Sequence, residues 1–271
     1  MDEAIAELSP LLTMATPWAY ALGLALARVG GLMLALPQMM GNKAPAMVKA
    51  TIAVAVAVAV VFVGPLPLEI LTRPRPELSL VFAAAGEFCF GLALGFFLHV
   101  GLAAIRFAGE VCGVEMGFSF AAVADPMSNE QSTPVSQLFS QLSIQLFLVL
   151  GFDRWTIRVL ADSVKGRPLG EAYLDAATAA ELTSLGDGMI RTGVQLALPI
   201  MGTVFALKLA MAMLARIAPQ LQIFSLAFTL TILLGMLALS SAYPAIGAEV
   251  AEHLESVVTE LERFATHEPN G

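Results

Sequence analysis

Charge is scarce in this sequence. Only 13% of its 271 residues are charged while 58% are hydrophobic, and the mean hydropathy is +0.79. Soluble domains carry about a quarter charged residues, so an ordinary soluble enzyme is excluded. Basic residues are scarcer still, with 14 Lys+Arg against 22 Asp+Glu and a net charge of −8. A chain that bound nucleic acid by neutralising phosphates would need the opposite balance, so no nucleic-acid partner is expected. Cysteine is nearly absent: Cys89 and Cys112 stand alone in apolar surroundings, without a C-x-x-C pair, and both read as buried thiols. His99, His253 and His267 lie far apart and lack ligand spacing, so neither a metal nor any other cofactor is expected. The phosphate-loop, dinucleotide-binding, H-E-x-x-H and nucleophile-elbow signatures are all missing. No catalytic residue is expected, and the chain is not read as an enzyme. A basic n-region is missing too: Asp2, Glu3 and Glu7 precede the first apolar stretch, which is therefore expected to remain as a membrane anchor.

What the sequence has is long apolar runs, six of them. They cover about 11–36, 46–63, 78–105, 135–152, 189–214 and 221–243, and most are long enough to cross a bilayer as helices. The second alternates Ala and Val from Ala53 to Val60, a period of two that also suits a strand. A lone spanning strand would leave its backbone unpaired in lipid, so the helix is preferred. The expected fold is all-α: a polytopic membrane-type helical protein of about six apolar helices. Pro17, Pro199 and the glycine-rich regions are the candidate break points of bent hairpins.

Between these runs lie blocks of different character. Gly91 and Gly95 form a G-x-x-x-G pair that permits close approach by another helix. From Arg106 to Pro126, Gly109, Gly113 and Gly117 recur every four residues along one side of any helix formed there. That block is too polar for lipid and too apolar for a free loop. It reads either as a small-residue helix packed tightly on its neighbours or as a movable closure, in which Met116, Phe118 and Phe120 seal a pore. Gln137, Gln141 and Gln145 place amides along one face of the fourth run, suited to lumen lining or to hydrogen bonds between helices. Residues 153–187 form a polar extension expected outside the hydrocarbon. Residues 244–271 read as an amphipathic acidic helix, with Val250, Leu254, Val257, Val258 and Leu261 on its apolar side, fading into a disordered tail.

Three charges lie well inside the apolar runs, away from their ends: Arg28, Glu87 and Lys208. An ionisable group at membrane depth is costly and normally faces a partner or a watery path. Arg28 and Glu87 are possible mates. The alternatives are a conduit, a structural bond between helices, or snorkelling to the interface.

Several stretches together resemble a known family. LPQMMGNKAPAMVKA with Arg28 upstream, GEFCFGLALG at Gly86–Gly95, AGEVCGVEMGFSFAAVADP at Ala108–Pro126 and LARIAPQLQIF at Leu214–Phe224 resemble the FliR family of flagellar export-gate proteins, called SctT in virulence type III secretion. The glycine block ending in Asp125-Pro126 and the loop motif Arg216, Pro219, Gln220 are specific in combination. The family often has Gly-Phe-Pro shortly after that motif, where this chain has Ala227-Phe228-Thr229. The resemblance covers essentially the whole chain.

It implies one such subunit joined with five FliP-like and four FliQ-like subunits, near FlhB-like and FlhA-like export components. The expected setting is the bacterial inner membrane and the flagellar basal body, in contact with membrane lipid. Unfolded flagellar proteins would pass through the lumen, and Gly109, Gly113, Met116, Gly117, Phe118, Phe120, Asp125 and Pro126 would belong to its plug. On this reading residues 1–243 are the export-gate domain, with a plug-like segment at 106–126, and 244–271 form the C-terminal helix and tail. The rival readings are a secondary transporter of small molecules using Arg28, Glu87 and Lys208, and a passive assembly scaffold. The two halves show no clear inverted repeat of the kind such a transporter needs.

Overall fold

A computed structural model describes residues 2–35, 45–63, 77–118, 132–172, 176–217 and 223–266. Among these, every regular element is helical. In chain order they are α1 (Asp2–Ala35), α2 (Ala46–Val63), α3 (Glu77–Glu115), α4 (Pro134–Val149), α5 (Phe152–Gly166), α6 (Ala176–Ile217) and α7 (Ile223–Thr266). The expected all-α class is observed, and the described part of each apolar run is helical apart from the turn at Leu150 and Gly151 in the fourth.

The helices are longer and fewer in span than the runs suggest. Among the described residues four stretches are long and apolar enough to cross a membrane: Thr16–Ala35, Ser79–Glu115, Thr178–Ile217 and Ala227–Thr266. The pair α4 and α5, bent by 66°, makes a possible fifth, while Ala46–Phe62 is a shorter apolar helix. The 37 residues of Ser79–Glu115 amount to ~55 Å at ~1.5 Å per residue, against a hydrocarbon core of ~30 Å. Such a helix reaches well beyond the apolar layer. The expected stop near Ile105 is corrected accordingly: α3 runs on to Glu115 and takes Gly109 and Gly113 into the helix.

The break points also differ. α1 is continuous through Pro17, α6 through Pro199 and α7 through Pro244, whereas the sharp bend falls at Gly151. There φ is +76°, a left-handed conformation open to glycine at little cost. α4 begins with Thr133 as N-cap, its hydroxyl accepting from the Ser136 amide at 3.2 Å, with Pro134 inside the first turn. In α2 the buried positions are Ala57, Val60 and Val61, the spacing of a helix and not of the Ala-Val alternation. The polar segment 153–187 divides into α5, a turn, and the start of α6. α5 buries Phe152, Thr156, Val159, Leu160, Ser163 and Val164 on one side.

The chain forms two compact units. The first comprises Met1–His99, Gly151–Thr183 and Val257–Gly271. Within it α1 packs on α2 and α2 on α5, and Leu24, Val29, Phe90, Leu94, Leu160 and Leu261 are buried. A Cβ on Gly91 would overlap the backbone carbonyl of Arg28, and one on Gly95 would lie 2.7 Å from the Ala35 Cβ. The G-x-x-x-G pair thus lets α1 and α3 touch backbone to backbone. The end of α7 closes this unit through buried Val257, Val258, Leu261 and Phe264, on the apolar face expected of the acidic helix.

The second unit comprises Val100–Leu150 and Ser184–Ser256. Its core includes Leu102, Ile105, Cys112, Met116, Phe139, Ile200 and Leu254. Gly193 lies against Phe107 and Ala104 of α3, and Gly235 against Met116. Cys112 is buried as expected, but Cys89 is exposed. The helical face, which a linear hydropathy reading does not resolve, decides that difference.

Candidate functional site: a buried ion pair and the foot of the glycine block

Arg28 of α1 and Glu87 of α3 meet inside the first unit, the Arg28 Nε donating to Glu87 Oε2 at 2.6 Å with both side chains 0% exposed. The other ends of both groups are also satisfied. Arg28 Nη1 donates to Ser163 Oγ at 2.8 Å and Nη2 to the Arg167 carbonyl at 2.8 Å. Ser163 donates its own proton to the Leu160 carbonyl at 2.7 Å. The Gly170 amide donates to Glu87 Oε1 at 2.7 Å, and Gly170 reaches this position with φ at +88°. The Arg28 and Arg167 guanidiniums lie 5.0 and 4.9 Å from the centre of the Phe90 ring, within cation–π range. Phe90 in turn stacks on Phe264 of α7, centroids 6.0 Å apart.

This arrangement ties together α1, α3, the end of α5 and the turn after it. Burying an ion pair is offset only when the remaining donors and acceptors are also bonded, which is the case here. A pair so enclosed links α1 to α3 with both side chains buried.

The glycine block begins in the second unit. Gly109 and Gly113 form a groove on α3 for the start of α4: a Cβ on Gly109 would meet Ser136 at 2.7 Å and Phe139 at 2.8 Å, and one on Gly113 would meet the Thr133 side chain. Glu110, on the same stretch, accepts from the Thr133 amide at 3.2 Å and its hydroxyl at 3.3 Å. α3 ends at Glu115 and the chain turns away at Gly117, with φ at +92°. The Gly117 amide bonds the Val114 carbonyl and the Phe118 amide the Gly113 carbonyl, each at 3.0 Å, which is the Schellman closure of a helix C-terminus. Met116 is fully buried, its side chain against Gly235 of α7. Phe120, Asp125 and Pro126 lie outside the described residues.

Lys208 of α6 is 46% exposed and pairs with Glu115 at 2.6 Å. No spacing rule in the sequence links those two positions. Gln137, Gln141 and Gln145 are all exposed, opposite the buried Val135, Phe139, Ser143 and Phe147. Gln141 and Gln145 border a cleft of about 180 Å³ with Leu138, Leu239 and Tyr243. Arg216 is exposed in the last turn of α6, while Pro219 and Gln220 lie outside the described residues. His253 meets the Gly101 carbonyl at 3.1 Å. Among the described residues no group of His, Cys, Asp and Glu could hold a metal ion.

The residues missed by sequence reasoning are Ser163, Arg167, Gly170 and Phe90 around the ion pair, and Glu115 and Gly235 at the foot of the block. Their partners lie 59–139 positions away for the ion pair and 93 for Lys208, beyond the reach of any local pattern.

Fold and site together define a polytopic helical protein of the membrane type, in which charges on apolar helices pair with charges on other helices. The family model of the bacterial export proteins, family 1, matches residues 19–257, and the chain belongs to that family. It is similar to the flagellar biosynthetic protein FliR of Escherichia coli (strain K12), 35% identical over 178 residues that cover 66% of this chain and 68% of that protein. FliR of Pectobacterium carotovorum subsp. carotovorum is 35% identical over 187 residues, covering 67% and 71%. FliR of Caulobacter vibrioides is 28% identical over 217 residues, covering 80% and 86%. Membership makes the chain a membrane component of an export apparatus, a transport part and not an enzyme.

Proposed function

We propose that this chain is the FliR-type pore-forming subunit of a flagellar type III export gate. Its partners would be FliP-like and FliQ-like subunits, in the ratio of five and four to one of this chain, with FlhB-like and FlhA-like components nearby. The cargo would be unfolded flagellar proteins crossing the bacterial inner membrane at the flagellar basal body. The family match across residues 19–257, together with the similarity to relatives named flagellar biosynthetic protein FliR, carries this reading.

The distribution of apolar surface supports it. Only 28% of the apolar window of Thr178–Ile217 and 22% of that of Ala227–Thr266 is buried within the chain, against 67% for Ser79–Glu115. Phe205, Leu209, Met213, Leu233 and Leu237 are all more than half exposed, which leaves α6 and α7 broad apolar surface for lipid or neighbouring subunits. The exposed amides at Gln137, Gln141 and Gln145 are out of place against lipid and suit a neighbouring subunit.

On the same reading, the block 106–126 closes the lumen. Its helical first half, packed through Gly109 and Gly113, serves as a fixed stem, and Met116, Gly117 and Phe118 begin the closing portion. The transporter alternative loses its motivation, since Arg28, Glu87 and Lys208 are each engaged in an ion pair.

The test is co-expression with FliP-like and FliQ-like proteins from the same source, followed by mass measurement in mild detergent. A complex holding one copy of this chain and several of each partner is expected. A stable monomer or self-dimer that ignores both partners would overturn the reading.

A further inference from the structure

Glu115 is the last residue of α3, immediately before the buried Met116 and the left-handed Gly117. Its carboxylate is 32% exposed and accepts from Lys208, which is 46% exposed. Lys208 stands on a face of α6 that is otherwise apolar, with Phe205, Leu209 and Met213 exposed around it. A cation there is costly unless an anion neutralises it, and Glu115 is its ion-pair partner among the described residues. α7 packs on the same point: a Cβ on Gly235 would fall 2.6 Å from Met116 Cγ and 2.8 Å from Cε, so a larger residue there would require the Met116 side chain to shift. The helix end is therefore fixed in three ways, by a charge on α6, by a notch in α7 and by its own Schellman closure.

From this geometry we infer that the Glu115–Lys208 pair is a positioning latch, holding the end of α3 against α6 and so setting the resting, closed state of the gate. The inference rests on the pore reading above. Of the three fixings the ion pair is the reversible one. The notch is a packed contact and the Schellman closure is local to α3. The ion pair joins two helices at a partly exposed site, where the attraction is modest and screened. A contact of that strength biases an equilibrium without locking it. Lys208 and Glu115 are positioning residues and are not proposed to touch the cargo.

The experiment uses the assembled complex with FliP-like and FliQ-like partners, reconstituted into liposomes, with ion leakage as the readout. Glu115→Gln and Lys208→Met are each expected to raise leakage roughly two- to fivefold, the shift that a partly exposed pair can cause. The reversed pair, Glu115→Lys with Lys208→Glu, is expected to return leakage to the wild-type level, because it restores the attraction with the polarity exchanged. Leakage unchanged in both single variants, or a reversed pair as leaky as the singles, would overturn the latch. If a single variant fails to assemble, the reversed pair decides: an assembled, tight complex supports the latch, and a leaky or unassembled one overturns it. A variant shortened within 106–126 separates the two levels. If it leaks while both single variants stay tight, the latch fails and the pore reading stands; if nothing leaks, the closure reading itself fails.

Discussion

The guanidinium of Arg28 donates to the carboxylate of Glu87 at 2.6 Å across 59 positions of sequence, with neither side chain touching solvent. Every nitrogen of that guanidinium is bonded, and both carboxylate oxygens accept. Breaking one side of such a pair leaves an uncompensated buried charge.

Arg28→Met or Glu87→Gln should therefore cost ~3–5 kcal/mol of stability, and the double variant should cost less than the two singles added. Thermal unfolding of the detergent-solubilised assembly, run as a double-mutant cycle, measures both. Additive effects would mean that the two groups do not interact.

Glycines on α1 and α3 separate cleanly into tight and open positions. Gly91→Ala places a methyl on the Arg28 carbonyl and should prevent α1 and α3 from docking, whereas a methyl added at Gly23 or Gly30 meets no neighbouring atom within 4 Å. Gly23→Ala and Gly30→Ala should leave assembly intact in the same co-purification that Gly91→Ala abolishes, with a gain of ~0.5–1 kcal/mol in helix stability.

Gly117→Ala should destabilise the end of α3 by ~1–2 kcal/mol, because φ of +92° strains a residue with a Cβ. Hydrogen exchange at the Gly117 and Phe118 amides, which close the helix end, should quicken, while the amides of α1 should be unchanged.

Thr133→Ala removes the hydroxyl that caps α4 and bonds Glu110. The expected loss is ~1 kcal/mol. Thr133→Ser keeps the oxygen and should recover most of it in the same melting measurement.

Cys89 is exposed and Cys112 is buried, so a maleimide should label the folded chain in detergent at Cys89 alone. Labelling at both sites before unfolding would contradict the packing of α3.

Much of this is legible from the residues. Apolar runs of about 20 residues with few charges require helices, and the motif set points to the export family without any structure. The Gly91–Gly95 spacing anticipates a close helix contact, and the charges at Arg28 and Glu87 suggest each other. Helix ends are less legible. α3 continues ten residues beyond Ile105 to Glu115, because Gly109 and Gly113 are satisfied by packing against α4, a contact that no window of sequence contains. Pro17 and Pro199 read as breaks, yet the sharp bend lies at Gly151, where a left-handed φ is needed.

The sequence by itself determined that this is an all-helical membrane-type chain of the export family, since composition, run length and local motifs are properties of neighbouring residues. The sequence suggests Arg28 and Glu87 to each other, but tertiary structure alone decided that Ser163 and the Arg167 carbonyl complete the pair and that Lys208 meets Glu115. The reason is physical. A buried or apolar-facing charge must find a counter-charge wherever the chain's packing delivers one, and that address is set by helices crossing in space, not by their distance along the sequence.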